Sequence, residues 1–243
     1  MRLWIDTDVG DDPDDAVALL CAAAHPDVEL VGVSTVDGDT RARADIARSL
    51  VDAPVMAGAD LDPLAVRDTD ADALLAIGPL TNVARLHREA ALPSRVGIMG
   101  GALEPVQHRG ERMTIEHNFG RDPSATRTVL GSRDGLLICP LDATVRTCVD
   151  DQTAARIAAA DARLEPAIGG WLELGRRLCL HDPVALLALL DEPMVRVEER
   201  RLMASTEGLV AVEPGGRPHR VVVDVDAPAA VDRISTLVDQ GRR

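Results

Sequence analysis

Five short apolar runs constrain this chain more than any other feature. They are Arg2-Leu3-Trp4-Ile5, Val28 to Ser34, Leu74-Leu75-Ala76-Ile77, Val96 to Met99 and Leu136 to Cys139. The last three are cut off by Gly78-Pro79, Gly100-Gly101 and Pro140. Runs of this length are too short for helices and suit strands buried on both faces. Helical patterns lie between them, in AVALLCAAA up to His25-Pro26 and again from Arg41 to Val51. Strands alternating with helices predict an α/β fold, a mostly parallel open sheet with helices on both faces.

The second half reads differently. Asp151 to Leu190 is helical in pattern, with breaks expected at Gly169-Gly170 and at His181-Asp182-Pro183. Val195 to Val225 is rich in β-formers around Glu213-Pro214-Gly215-Gly216 and predicts a small β-hairpin or subsheet. Val231 to Gln240 predicts a closing helix. No repeat, low-complexity segment or linker interrupts the chain, so residues 1–243 are expected to form a single domain.

Composition removes several functions. All 26 basic residues are Arg, which excludes a Schiff-base lysine and a P-loop lysine. The net charge of −14 disfavours a nucleic-acid partner. Aromatic residues are only Trp4, Trp171 and Phe119, so several bases cannot be stacked on rings. No run is long and apolar enough to span a membrane. The opening MRLWIDTDVG lacks an apolar signal segment, so a cytoplasmic location is expected. Cys21, Cys139, Cys148 and Cys179 form no CxxC pair, and all four are expected to be buried, reduced thiols.

Parallel sheets place their sites at the carboxyl ends of the strands. That rule selects Asp6 to Asp15, Thr35 to Asp39, Ile77-Gly78-Pro79 and Gly100-Gly101. The first of these, DTDVGDDPDD, holds six carboxylates. Clustered carboxylate oxygens suit a hard divalent cation, Ca²⁺ or Mg²⁺, better than zinc. The spacing does not match an EF-hand loop. A plainer alternative is a solvated loop that caps the following helix, with Asp12 as N-cap before Pro13. His181-Asp182-Pro183 opens a second apolar helix. Its Asp could merely favour the helix dipole; together with the acidic stretch it suggests a metal carboxylate beside a titratable acid.

These motifs resemble the inosine–uridine nucleoside hydrolase family. The N-terminal signature is matched by Asp6-Thr7-Asp8, Gly10 and Asp14-Asp15-Ala16, in a variant with two extra residues before the final Asp pair. Ser34-Thr35-Val36-Asp37-Gly38, Ile77-Gly78-Pro79-Leu80-Thr81-Asn82, Met99-Gly100-Gly101, Glu116-His117-Asn118 with Asp122-Pro123, and His181-Asp182-Pro183 follow in the family's order. The resemblance implies hydrolysis of nucleosides at the N-glycosidic bond with one bound Ca²⁺. It implies that Asp8, Asp15 and Asp182 hold the ion with their carboxylates and Ile77 with its carbonyl. Asp8 would take the proton from the attacking water, and His181 would protonate the leaving base within the range where imidazole titrates. Asp14, Asp39, Glu116 and Asn118 would contact the ribose, Glu116 nearest the 5′-hydroxyl. Trp171, in a region where relatives often place Tyr, either stacks on the base or is a core-facing residue near a helix start. Relatives are often dimers or tetramers, so a homo-oligomer is expected.

The chain departs from the family in places. Only Ala59 to Ala73 separates two strands where relatives carry a long insertion, with a His-Gly…Asp-Gly segment, that folds over the base. Asp39 stands where Asn is usual. Arg109 and Arg112 lie where an Asn is expected and could bind an anionic group. Two further readings compete. One is a non-catalytic calcium- or ribose-binding protein on the same scaffold, against which the retained His181 argues. The other is a haloacid-dehalogenase-type phosphatase with Asp6 as nucleophile, which leaves His181-Asp182-Pro183 and Asn118 without a role.

Overall fold

The structure is a computed structural model and describes residues 1–241. Strands run in the order β1 (Arg2–Thr7), β2 (Glu29–Thr35), β3 (Val55–Ala57), β4 (Ala73–Ala76), β5 (Arg95–Met99), β6 (Val106–His108), β7 (Glu111–Met113), β8 (Leu137–Cys139), β9 (Val195–Ala204), β10 (Val210–Val212) and β11 (Arg217–Val225). Helices are α1 (Asp14–Ala24), α2 (Thr40–Leu50), α3 (Pro63–Asp68), α4 (Thr81–Arg88), α5 (His117–Arg121), α6 (Pro123–Ser132), α7 (Leu141–Thr144), α8 (Asp151–Ala160), α9 (Glu165–Glu173), α10 (His181–Leu189) and α11 (Ala227–Gln240).

Nine strands form one sheet in the order β10-β9-β11-β8-β5-β4-β1-β2-β3. Every pairing is parallel except the two made by β9. The central strands bury both faces, which is why they read as continuous apolar runs. Leu3 and Ile5 of β1 join the core beneath α1, α10 and α11, while Trp4 joins the core beneath α4 and α6. In β4, Ala73 and Leu75 face the first core and Leu74 and Ala76 the second. All nine residues of α10 are buried, as expected of a helix that is apolar on every side.

The C-terminal hairpin is present but is not a separate unit. β11 pairs with β8 and carries the central sheet outward, because Val221 and Val222 supply one side chain to each core. Gly169-Gly170 does not break its helix. No neighbouring atom lies within 4 Å of a Cβ built on either glycine, and α9 runs through both. The helix stops instead at Gly175, whose φ of +69° suits the left-handed position after a C-cap. Trp171 therefore sits near the end of α9, not its start.

The cysteines divide into two pairs. Cys21 and Cys139 are buried thiols, as expected. Cys148 and Cys179 are joined by a disulfide, contrary to the reading of four reduced thiols. An isolated antiparallel bridge sets the two backbones side by side, a proximity that a separation of 31 residues does not reveal. Among the described residues no helix is long and apolar enough to cross a membrane.

β1 lies between β4 and β2, and the chain builds outward from it in both directions. The crevice between the carboxyl ends of β1 and β4 is the topological switch point, where ligands of open α/β sheets bind. The acidic stretch leaves β1 there.

Candidate active site

A cleft of ≈370 Å³ opens at this crevice, a size suited to a small organic ligand. Asp8, Asp14, Asp15 and Asp182 form its floor, and Ile77, Glu116 and Asn118 line it nearby. Carboxylate oxygens of Asp14, Asp15 and Asp182 come within 4.8 Å of one another, and all three residues are buried. Each is anchored by the fold. Asp15 accepts a hydrogen bond from the Thr7 hydroxyl at 2.5 Å. Asp14 Oδ2 accepts the backbone N–H groups of His181 and Asp182 at 3.1 and 3.3 Å, which satisfies the otherwise unpaired first turn of α10.

This packing makes ionisation costly. Burial, reinforced by neighbouring carboxylates, pushes Asp15 and Asp182 well above the usual range. Asp14 is raised to about 8, first by burial and then by Asp12. Asp8 is raised to about 7 by burial, with Arg43 opposing. A hard divalent cation would reverse these shifts by supplying the missing opposite charge.

The expected carboxylates Asp8, Asp15 and Asp182 all line the cleft. Asp14 belongs to the close triad, whereas Asp8 lines the cleft outside it. Arg43 grips the carbonyls of Asp8 and Val9 and the carboxylate of Asp11, which holds the strand end in place. The Ile77 carbonyl is at the site, steadied by the Asn118 amide at 3.2 Å; the same amide reaches Met99 O at 3.1 Å. Glu116 lines the cleft, but its two oxygens accept N–H groups from Gly101, Asn118 and Phe119. It caps α5, and a 5′-hydroxyl would have to share it.

Asp39 is not in the cleft. It is exposed and caps α2, accepting from Arg41 N and Ala42 N. Asp12 caps nothing; Pro13 takes the N-cap position of α1 and Asp12 pairs with Arg109. Asp6 is completely buried, bound by Ser34 at 2.5 Å and Asn82 at 2.8 Å. It cannot meet a substrate, which removes the phosphatase reading.

His181 lines the cleft wall. Its Nδ1 lies 2.7 Å from the Thr144 hydroxyl, and its Nε2 is buried without a partner. Burial, with His108 and Arg109 adding to it, drags its pKa down to about 3. His181 is thus a neutral imidazole at pH 7, and does not titrate in the range expected of it. The β6–β7 hairpin builds the opposite wall. His108, on that hairpin, stands edge-on to His181 with ring centroids 5.1 Å apart. Sequence reading overlooked His108 and Thr144. The hairpin itself was signalled by Arg109-Gly110, whose φ values of +53° and +83° form its tight turn. His108, Cys179 and His181 also lie close together, but the Cys179 sulfur is bonded to Cys148 and offers no thiolate.

The fold and this cleft define a hydrolase acting on N-glycosyl compounds. The chain belongs to the inosine-uridine preferring nucleoside hydrolase family, whose model matches residues 65–232. Arabidopsis thaliana uridine nucleosidase 1 is 22% identical over 270 aligned positions, covering 86% of this chain and 79% of that protein. An uncharacterised Schizosaccharomyces pombe protein, C1683.06c, is 28% identical over 252 positions, covering 78% and 80%. Among solved structures, the plant nucleoside hydrolase PpNRh1 superposes with a TM-score of 0.81 at 18% identity, covering 98% of both chains. The inosine-uridine preferring nucleoside hydrolase from Bacillus anthracis gives 0.79 at 19% identity, covering 98% of this chain and 99% of that one.

Proposed function

We propose that this protein, acting as one unit over residues 1–243, hydrolyses the N-glycosidic bond of ribonucleosides in a Ca²⁺-dependent reaction that releases ribose and free base. The buried triad of Asp14, Asp15 and Asp182 carries this reading. Its donors are hard oxygens, its acids repel one another, and among the described residues no arginine forms an ion pair with any of the three. Asp8 and the Ile77 carbonyl lie beside it as further donors. A cation held by these groups would supply Lewis-acid activation of water near neutral pH.

The protein's own groups supply the rest. Asp8, at the cleft floor, accepts the proton of the attacking water. Asp14 is fixed by α10 through Oδ2 and accepts a ribose hydroxyl with its other oxygen. As the C–N bond breaks, the surrounding carboxylates stabilise the oxocarbenium-like ring, an interaction stronger in the transition state than in the ground state. Asn118 and Glu116 hold the wall against which the ribose rests. His181 acts as a neutral hydrogen-bond donor. With the Thr144 hydroxyl donating to Nδ1, Nε2–H faces the departing nitrogen and stabilises its growing electron density. The resemblance also supports a homo-oligomeric enzyme, and the lack of an apolar signal segment in MRLWIDTDVG supports a cytoplasmic one.

The test is reducing-sugar release from uridine and inosine, with Ca²⁺ and with chelator, for the wild type and Asp182→Asn. Chelator-sensitive release, reduced at least a hundredfold in the variant, is expected. Absence of release, or release indifferent to both chelator and variant, would overturn the reading.

A further inference from the structure

The acidic floor accounts for a sugar and a cation, but not for the group at the other end of the cleft. Trp171 is only 6% exposed. Its indole N–H is spent on the Arg177 carbonyl at 3.0 Å, so the ring is what it offers. Two guanidinium groups lie over that ring, Arg109 at 4.8 Å and Arg176 at 4.6 Å from its centroid. An aglycone approaching Trp171 therefore meets arginine.

The two arginines are not equivalent. Arg109 sits at the hairpin turn and is neutralised by Asp12. Arg176 lines the cleft and is exposed, and among the described residues no carboxylate pairs with it. Other arginines of the surface also lack an ion pair; Arg176 differs from Arg85, Arg88 and Arg177 in lining the cleft. A guanidinium held over an aromatic ring retains N–H donors, in a fork that matches a carboxylate. The cleft is thus polarised, with an acidic end for a neutral sugar and an uncompensated cation at the aglycone end.

We infer that the site selects ribosides whose aglycone bears an anionic substituent, a carboxylated nitrogen heterocycle, and that Arg176 is the specificity-determining residue. The inference rests on the nucleosidase reading above and names its substrate class.

The experiment compares kcat/KM for 5-carboxyuridine and 5-carbamoyluridine, which are nearly isosteric and differ in charge, with uridine as a third substrate. The wild type should prefer the carboxylate about tenfold, the scale of one charge-assisted contact near the surface. In Arg176→Gln the preference should fall to near one, mainly through KM, because the contact is made in ground and transition states alike. Arg176→Lys should keep part of it. No preference in the wild type, or a parallel loss on all three substrates in Arg176→Gln, would overturn the inference while the hydrolase reading stands. If none of the three is cleaved, the hydrolase reading itself fails. Quenching of Trp171 fluorescence by free 5-carboxyuracil against 5-carbamoyluracil then tests the arginine end without turnover, and equal quenching would refute it.

Discussion

Chelation should destabilise this protein more at pH 8 than at pH 5.5. Asp8 and Asp14 have folded pKa values of about 7 and about 8, against 3.8 for the free side chain. A carboxylate raised in the folded state binds its proton more tightly there than in the unfolded chain. Its contribution to stability is therefore complete below about 4 and is lost as pH rises through 7 to 8. Each pH unit of that rise corresponds to about 1.36 kcal/mol. Ionising one member of the cluster across one and a half such units costs about 2 kcal/mol, or about 4–8 °C in Tm for a chain of this length. A cation removes the penalty by favouring the ionised form, and at a hundred times its Kd it adds about 2.7 kcal/mol. Differential scanning fluorimetry at both pH values, with chelator and with millimolar Ca²⁺, reads these effects. The chelated protein should melt lower at pH 8, and Ca²⁺ should restore it there far more than at pH 5.5. Equal melting temperatures at both pH values in chelator, with no response to Ca²⁺, would show that the buried carboxylates neither repel one another nor await a cation.

Two other outcomes follow from the geometry. A Cβ at Gly78 would stand 2.9 Å from Asp8 Oδ1 and 2.7 Å from Val36 Cγ1, so Gly78→Ala should cut ribose release at least tenfold while shifting Tm by only a few degrees, in paired activity and melting assays. Opening the Cys148–Cys179 disulfide, which closes a loop of 31 residues, should cost about 3.7 kcal/mol by loop entropy, measured as a loss of urea midpoint after mild reduction and in Cys148→Ser/Cys179→Ser.

The sheet was legible because its strands are buried on both faces, so their sequence is a plain apolar run ended by glycine or proline. The acidic floor was legible for a related reason: six carboxylates at the end of such a run have few structural uses. What was not legible depends on partners far away in sequence. Asp39 is a local exception: it caps α2 through the N–H groups of Arg41 and Ala42, two and three residues on. His181 is neutral because it is buried and because His108 and Arg109 are brought against it by the hairpin. Gly169-Gly170 looked like a break because propensity alone disfavours it; tertiary packing of Ile168 and Trp171 holds the helix through it. Trp171 stands out in the sequence and lines the cleft, but the two guanidinium groups that cover it were not legible.

The hydrogen bonds from α10 to Asp14 join residues 167 and 168 positions apart. A nascent chain carries its acidic loop long before His181 is added, and cannot close the site until the segment from His181 onward has been made. Contacts of such high sequence separation form late. Until then the loop is an open, charged strand end, and a product truncated before α10 should be inert however well its first strands have paired. Turnover in this protein would therefore report completion of the chain as well as its chemistry.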